Sequence, residues 1–305
     1  MVDRGKPSMY LKEAMQGEKQ ELRIINKGKV GKPYKYSPLL ILSTYAIKTV
    51  DKIGYREAAG AVEDYLSLNG VSKHPDFRTV HWRIRQIEEE KIKLMIYRSI
   101  GEEEEYIDVI MDSTGIRSRK DGEYRSDMYG KIKEWKQLHI VISRKTHKIL
   151  NMKVTKAHAG DANQFIGLMK PIVEKKRVNS SRTDGGYDSE RNFRFCYKHN
   201  IQPITPVRIN ATGLRNRYRS RAIEEQLGFK RRPHAHSIYS YLSEEKRRQN
   251  QEEWKRKVDY HGRSLIETVN SVFKGVFDES VFSKTKKMIE KELLLKAVIY
   301  NKYIA

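Results

Sequence analysis

One stretch near the carboxyl end of the chain combines residue types suited to phosphate chemistry. At about 100° per residue, Tyr260, Arg263, Glu267 and Lys274 fall within roughly 60° of one another on a helix. The opposite side is apolar and carries Leu265, Val269, Val272, Phe273 and Val276. A carboxylate between two cations suits a site that binds a metal ion and a phosphate. The simpler alternative is a solvated helix face with charge pairs four residues apart.

Two aspartates earlier in the chain strengthen the first interpretation. Asp112 closes a predicted strand over 106–112, within Val-Ile-Met-Asp-Ser-Thr-Gly, and Asp184 closes another over 178–184, within Arg-Thr-Asp-Gly-Gly-Tyr-Asp-Ser. Ligands of α/β sheets bind at strand ends, beside loops that contain glycine. Three carboxylates without a cysteine or histidine cluster predict an oxygen-rich site for Mg²⁺ or Mn²⁺. Two such ions could activate a water or a 3′-hydroxyl and stabilise the leaving oxygen of a phosphodiester.

Each acidic residue also has a structural interpretation. Asp112 could be a turn residue at the end of its strand. Asp188 competes with Asp184 for the metal role, but its position favours the N-cap of the next helix. His158 and Asp161 could support the site, although a loop histidine and a helix N-cap are the simpler interpretation.

The charge of the chain indicates a polyanionic partner. The 305 residues carry a formal net charge of +22 and a sequence pI of about 9.8. Nucleic acid is the first candidate, and an anionic membrane surface is the rival. The sequence shows no apolar run of membrane-spanning length, no signal peptide and no lipidation motif, so we expect no membrane and no small-molecule substrate. The single cysteine, Cys196, excludes an intramolecular disulfide and indicates a reducing cytosol.

The first third of the chain is predicted to be helical after a basic arm. Residues 1–36 hold nine Lys or Arg against four Asp or Glu, which indicates a mostly irregular arm with a short helix near 9–21. Residues 37–100 form a helical unit, with helices predicted over 39–50, 55–68 and 77–92. Arg78 and Arg85 lie outside the apolar seam of the third helix. The unit therefore resembles a helix-turn-helix DNA-binding domain, with a plain helical cap as the alternative.

Residues 104–305 change to a strand-rich pattern. Strands are predicted over 106–112, 138–142, 149–156, 178–184 and 201–207, with helices over 161–175, 189–199 and 283–301. Three consecutive strands followed by alternating helices and strands indicate an α/β fold with a mixed sheet. Residues 208–258 interrupt this order with a basic insertion. It holds tyrosines between its cations, as Tyr218, Tyr239 and Tyr241 show, and it suits nucleic-acid contact or a solvated surface.

The spacing Tyr260-x2-Arg263-x3-Glu267-x6-Lys274 resembles the signature of insertion-sequence DDE transposases. The sequences around Asp112 and Asp184 are similar to the regions of that family's two aspartates. The resemblance covers about residues 37–302 and is most specific in the four-residue signature. One departure is Gly185, where relatives often have a charged residue.

The resemblance implies a ribonuclease-H-like fold with a mixed five-stranded sheet. It implies that Asp112, Asp184 and Glu267 are catalytic and bind one or two Mg²⁺ or Mn²⁺ ions. Arg263 and Lys274 would contact DNA, and Tyr260 would contact the transposon end. The implied activity is cleavage at terminal inverted repeats followed by strand transfer. The resemblance also implies a homodimer on double-stranded DNA, located at the nucleoid in the cytoplasm of a prokaryote.

Two other functions remain open at this point. One is a transposase-derived DNA-binding protein whose carboxylates are idle, and the other is a ribonuclease-H-fold nuclease that cleaves DNA without joining it. A fold alone does not choose among these functions.

Overall fold

The fold is described from a computed structural model, which covers residues 7–99, 106–118, 135–157, 159–214, 217–228, 237–238 and 242–304. His158, Tyr239 and Tyr241 are named above and lie outside these ranges.

A mixed sheet forms the centre of the molecule. Its long strands are β1 (Tyr106–Ser118), β2 (Trp135–Ser143), β3 (Ile149–Lys156), β4 (Arg177–Arg182) and β5 (Gln202–Ile204). The spatial order is β3-β2-β1-β4-β5, with β2 antiparallel to β1 and β3, and β4 parallel to β1 and β5. This is the strand order of the ribonuclease-H-like fold, so the predicted fold class is confirmed. Three short strands also occur: β6 (Gly213–Leu214) and β7 (Ser237–Ile238) pair with each other, and β8 (Ser280–Val281) joins β1 as a sixth strand of the main sheet.

Among the residues that the structure describes, five helices precede the sheet: α1 (Pro7–Asn26), α2 (Pro38–Val50), α3 (Tyr55–Leu68), α4 (Phe77–Gln86) and α5 (Glu89–Ser99). Six more described helices lie within or after it: α6 (Phe165–Val173), α7 (Glu190–Lys198), α8 (Tyr218–Leu227), α9 (Glu244–Lys257), α10 (Leu265–Phe277) and α11 (Lys286–Tyr303). Within the described ranges, every helix is too short or too polar to cross a bilayer.

The largest hydrophobic cluster joins the front helices to the sheet. It contains Ile41 of α2 and Val80 of α4 together with Ile140 of β2, Phe273 of α10 and Leu293 of α11. Burial of this apolar surface is the main force that holds these elements together. The division of the chain at residue 100 into two domains stays a prediction.

Two predictions about local structure were wrong. The arm is not mostly irregular, because residues 7–26 form α1, whose Leu11 and Ala14 are buried in a cluster with residues of α2 and α3. The helix predicted over 77–92 is two helices, since Ile87 is extended between them. In both cases tertiary packing outweighed local composition. The basic insertion holds α8 and α9, and Trp254 of α9 is buried.

The stretch 260–274 is also not one helix. Residues Tyr260–Ser264 form a 3₁₀ turn, and α10 begins only at Leu265. The turn follows Asp259, whose positive φ of 49° breaks the chain direction after α9. Val269 and Phe273 are buried as the apolar pattern predicts.

Candidate active site

Two neighbouring parallel strands bring Asp112 and Asp184 together. Ile110 of β1 with Arg182 of β4 is the last pair of their ladder, and Asp112 and Asp184 each follow it by two residues. The two carboxylates are close enough for the charge of Asp184 to raise the pKa of Asp112, which burial raises first. Asp112 does not close its strand as predicted, because β1 continues to Ser118 against β2. Since β4 ends at Arg182, Asp112 lies where β1 loses its neighbour on that side.

The carboxylate of Asp112 is in an environment that disfavours its negative charge. Burial raises its pKa, and the nearby charges of Asp184 and Asp161 raise it further, against the lowering effect of the Ser113 backbone N–H and of Arg263. A bound cation would offset these effects by favouring the ionised form. The site therefore has the electrostatics of a cation-binding centre.

Arg263 connects Asp112 to Glu267. Its Nη1 lies 3.3 Å from Asp112 Oδ2, and its Nη2 lies 3.7 Å from Glu267 Oε1. Glu267 lies in the first turn of α10, and its side chain is 65% exposed, against 17% for Asp112. The guanidinium thus bridges the two carboxylates and supplies their positive counter-charge.

Arg182 anchors the turn that carries Tyr260 and Arg263. This buried side chain donates to the carbonyl oxygens of Asp259 at 3.3 Å and Val258 at 3.4 Å, and to Ser180 Oγ at 2.7 Å. Arg144 forms a further ion pair with Asp259. The strand that leads to Asp184 is therefore tied to the turn before Glu267 by hydrogen bonds.

The remaining residues of the signature line the same region. Tyr260 is half-buried, with its ring centroid 6.4 Å from that of Trp254 and with Lys255 Nζ 5.7 Å from its ring. Lys274 lies with Asp112 and Glu267 around an open cleft of about 580 Å³. All six predicted site residues of the sheet domain, Asp112, Asp184, Tyr260, Arg263, Glu267 and Lys274, thus belong to one neighbourhood.

The two predicted DNA contacts of the front helices lie elsewhere, on α4. Arg78 and Arg85 are exposed, and so is Trp82 between them, with 53% of its surface accessible. Val80 and Ile84 form the buried side of this helix. The helix therefore presents a basic and aromatic face to solvent, separate from the carboxylates.

For Asp161 the sequence favoured a helix N-cap over a part in the site, and the N-cap interpretation was wrong. Asp161 is not the N-cap of α6, because it begins a separate 3₁₀ turn over Asp161–Asn163 and α6 starts after Gln164. Its Oδ1 accepts a 2.8 Å hydrogen bond from Gln137 Nε2, and its pKa is raised by burial and by Asp184. The available signal was strand direction. Because β3 runs parallel to β1, an acidic residue that follows β3 lies at the same end of the sheet as the carboxyl end of β1.

Asp188 is not the cap of α7. Ser189 has that role, since its hydroxyl accepts from the backbone N–H of Asn192. Asp188 is buried and pairs with both Nε and Nη2 of Arg219, at 2.5 and 2.6 Å. It therefore fastens α8 to the turn after Asp184, and this role leaves Asp184 as the acidic residue that faces Asp112.

The oxygen donors fit a hard divalent cation, although they are not spaced as finished ligands. In the described ranges, no three His, Cys, Asp or Glu side chains are close enough to hold a metal ion. Carboxylates without a cation between them repel one another, which accounts for the spacing. Two buried polar atoms at the site, Tyr187 Oη and Asn270 Oδ1, also have no hydrogen-bond partner. The oxygen donors and the unpaired polar atoms together fit a hydrated Mg²⁺ or Mn²⁺ ion.

A sequence profile described as "Transposase DDE domain" matches residues 103–302, roughly two-thirds of the chain. A second profile with the same description matches residues 2–120. The chain belongs to the DDE transposase family. This transposase is thus an enzyme that binds DNA, cleaves its strands and transfers them with the help of divalent metal ions.

Solved structures similar to the transposase are also transposase complexes. One is the "Cryo-EM structure of piggyBac transposase synaptic complex with hairpin DNA", with 10% identity, 99% of this chain and 76% of that chain covered, and a TM-score of 0.42. Another is the "Crystal structure of a pre-cleavage Mos1 transpososome", with 12% identity, coverage of 84% and 82%, and a TM-score of 0.25. Because these overlaps are low, the family assignment rests on the profile match and the fold on the strand order.

Proposed function

We propose that Asp112, Asp184 and Glu267 are the catalytic carboxylates of this transposase, acting at the terminal inverted repeats of its own element. The observation that supports this most is their connection: Asp112 and Asp184 each follow the last β1–β4 pair by two residues, and Arg263 bridges Asp112 to Glu267. Asp112 and Glu267, which are far apart in the sequence, therefore line one open cleft, and the charge of Asp184 acts on Asp112 beside it.

The reaction consists of two phosphoryl transfers. In the first, a water oxygen bonds to a phosphorus atom at the element end and the bond to the 3′-oxygen breaks, which leaves a 3′-hydroxyl and a 5′-phosphate. In the second, that 3′-oxygen bonds to a phosphorus atom of the target and displaces the target's own 3′-oxygen. Mg²⁺ or Mn²⁺, one or two ions held by Asp112, Asp184 and Glu267, would supply Lewis-acid stabilisation of the attacking and leaving oxygens.

The cationic side chains of the cleft hold the DNA backbone. Arg263 is already shared between two carboxylates, so a cation that neutralises Asp112 and Glu267 would free its guanidinium for a phosphate. Lys274 lines the same cleft and adds a second positive charge. Tyr260, packed near Trp254, offers a ring on which an end base can stack.

The front helices recognise the element end at a distance from the chemistry. Arg78 and Arg85 are on the exposed face of α4 and suit contacts with base edges or phosphates of a groove. Cleavage at two ends of one element requires two active sites, so the working form on DNA is a homodimer. The protein acts where prokaryotic DNA is held, at the nucleoid in the cytoplasm.

The test of the catalytic assignment is Glu267→Gln, assayed for Mg²⁺-dependent nicking of element-end DNA. We expect the rate of 3′-hydroxyl formation to fall at least about 100-fold, because loss of a metal ligand costs more than loss of a residue that supports one. Glu279→Gln is the matched control, since this carboxylate lines the same cleft but lies outside the proposed set. Undiminished nicking by Glu267→Gln would remove Glu267 from the mechanism.

The same assay separates the alternative functions. If this chain is a DNA-binding protein with idle carboxylates, the unaltered protein will retard element-end DNA in a gel. It will not nick that DNA when Mg²⁺ is added. A ribonuclease-H-fold nuclease would nick the DNA but give no joined product with a plasmid target. A strand-transfer product that depends on Mg²⁺ and on Glu267 excludes both.

A further inference from the structure

Asp161 lies close to Asp184, beside Gly186. A β-carbon built on Gly186 would be 3.0 Å from Asp184 Oδ1 and 3.2 Å from Asp161 Oδ2, so these two oxygens approach the same point in space. The glycine makes this approach possible, because any other residue would place a carbon atom there. In the described part of the chain, neither aspartate forms an ion pair with a lysine or an arginine.

Asp161 is also the acidic neighbour that Asp112 shares with Asp184. The acidic charges that raise the pKa of Asp112 are those of Asp184 and Asp161, while Glu267 lies beyond Arg263. The carboxylates that the sheet brings together directly are therefore Asp112, Asp184 and Asp161. Glu267 joins them through the guanidinium.

Two buried polar atoms without hydrogen-bond partners face this group. The hydroxyl of Tyr187 is unpaired and almost fully buried; burial raises its pKa, and the charges of Asp161, Asp112 and Asp184 raise that pKa further. Nδ1 of His139, a residue with 0% exposure, is also unpaired and lies 3.4 Å from Asp161 Oδ1. Buried polar atoms normally have partners, and a hydrated cation beside the carboxylates would give the tyrosine hydroxyl a water to bond.

We propose that Asp161 is a fourth carboxylate of the active site and binds a divalent cation together with Asp184. This inference rests on the proposed function and extends it by one ligand. Gln137 fixes the carboxylate, since its Nε2 donates both to Asp161 Oδ1 at 2.8 Å and to Ser113 Oγ at 2.9 Å. Asp161 Oδ2 and Asp184 Oδ1, which lie 3.2 and 3.0 Å from the β-carbon position of Gly186, are the oxygens that would bind the ion.

The experiment is a titration of the full-length protein with Mn²⁺ in the absence of DNA, measured by isothermal titration calorimetry. Asp161→Asn should raise the dissociation constant for Mn²⁺ by at least about tenfold, because an amide keeps the shape of the carboxylate but loses its charge. Asp64→Asn is the matched control, since Asp64 is exposed on α3 and far from the sheet edge. It should bind Mn²⁺ like the unaltered protein.

A second variant, Asp161→Cys, gives a signature that a purely structural role does not produce. A thiolate ligand prefers soft cations, so the ratio of the Cd²⁺ affinity to the Mn²⁺ affinity should rise at least about tenfold over that of the unaltered protein. The native Cys196 is buried and does not compete. An unchanged ratio in this variant, or unchanged Mn²⁺ binding by a folded Asp161→Asn protein, overturns the proposal.

Parallel titrations of Asp112→Asn and Asp184→Asn distinguish this inference from the proposed function. If both lose Mn²⁺ affinity while Asp161→Asn does not, only the fourth carboxylate is refuted. If none of the three variants changes Mn²⁺ binding, the proposed function fails with it.

Discussion

His139 shows how one buried residue next to the active site couples the stability of the fold to pH. Its ring is fully buried in β2, with Nε2 2.9 Å from Thr155 Oγ1 and Nδ1 facing Asp161. Burial lowers the pKa of His139 from 6.5 to about 4, and the charge of Lys153 acts in the same direction. The histidine is therefore neutral in the folded protein at neutral pH.

This depressed pKa predicts a loss of stability in acid. The contribution of neutral His139 to the free energy of unfolding is fully present above the unfolded pKa of 6.5. It is lost as the pH falls to about 4, because in that window only the unfolded chain takes up the proton. The loss amounts to about 3 kcal/mol at the lower end, from 1.36 kcal/mol for each pKa unit. Urea unfolding of His139→Gln and of the unaltered protein, at a series of pH values between 6.5 and 4, measures this loss. It is the difference between the two proteins in how far the free energy of unfolding falls with pH.

The comparison with His139→Gln is needed because two nearby carboxylates act in the opposite sense. The pKa values of Asp112 and Asp161 are raised in the folded protein, so these groups stabilise the fold as the pH falls. Both are present in the two proteins, so the difference removes the effect of Asp112 and leaves only the change that the variant makes in Asp161, which contacts His139. Equal pH dependence of the variant and the unaltered protein would contradict a neutral buried His139.

At the scale of elements, the active site depends on how α8 is joined to the loop after β4. Asp188 is only 3% exposed and accepts two hydrogen bonds from Arg219, while the backbone N–H groups of Tyr218 and Arg219 donate to Glu190. The N-terminus of α8 is thus held by two acidic residues that follow Asp184 closely. The basic insertion therefore supports the site as well as carrying positive charge.

Asp188→Ala should lower the free energy of unfolding by about 3 kcal/mol, because it leaves the partly buried Arg219 without its counter-charge. Chemical denaturation is the measurement. The exposed pair Lys170–Glu174 provides the control, and Glu174→Gln should cost less than about 1 kcal/mol. A similar small cost for Asp188→Ala would show that the buried pair does not hold α8.

The elements differed in how far their sequences determined them. β3 and α3 have the predicted bounds, since their apolar periodicity is clear and each ends at a distinct turn. The helix break at Ile87 and the 3₁₀ turn at Tyr260–Ser264 depend on packing with distant segments and left no local signal. Asp112, Asp184 and Glu267 could be named because their family signature is specific. Asp161 could not, since its part in the site follows from strand direction and from contacts with β2.

At the scale of the whole molecule, the positive charge governs DNA binding. A net charge of +22 favours any polyanion, and each phosphate contact adds about −0.9 to the slope of log affinity against log salt concentration. Arg78 and Arg85 on the exposed face of α4 should contribute two such contacts. The double variant Arg78→Ala/Arg85→Ala should bind element-end DNA more weakly, with a slope shallower by about two.

Fluorescence anisotropy at several salt concentrations measures this slope. Lys170→Ala removes an exposed cation of α6 and should leave both the affinity and the slope close to those of the unaltered protein. If the double variant behaves like this control, α4 is not a DNA-binding helix, and the alternative of a plain helical cap is favoured.

The central claim is that one divalent-cation centre joins Asp112, Asp184 and Glu267. Iron-directed cleavage of the protein tests it most directly: Fe²⁺ takes the place of Mg²⁺, and ascorbate with peroxide then cuts the backbone near the bound iron. The account predicts fragments cut close to residues 112, 184 and 267 in the same sample, and their disappearance with excess Mg²⁺ or in Asp112→Asn. Cuts confined to other segments, or cuts near these residues that Mg²⁺ does not suppress, would contradict it.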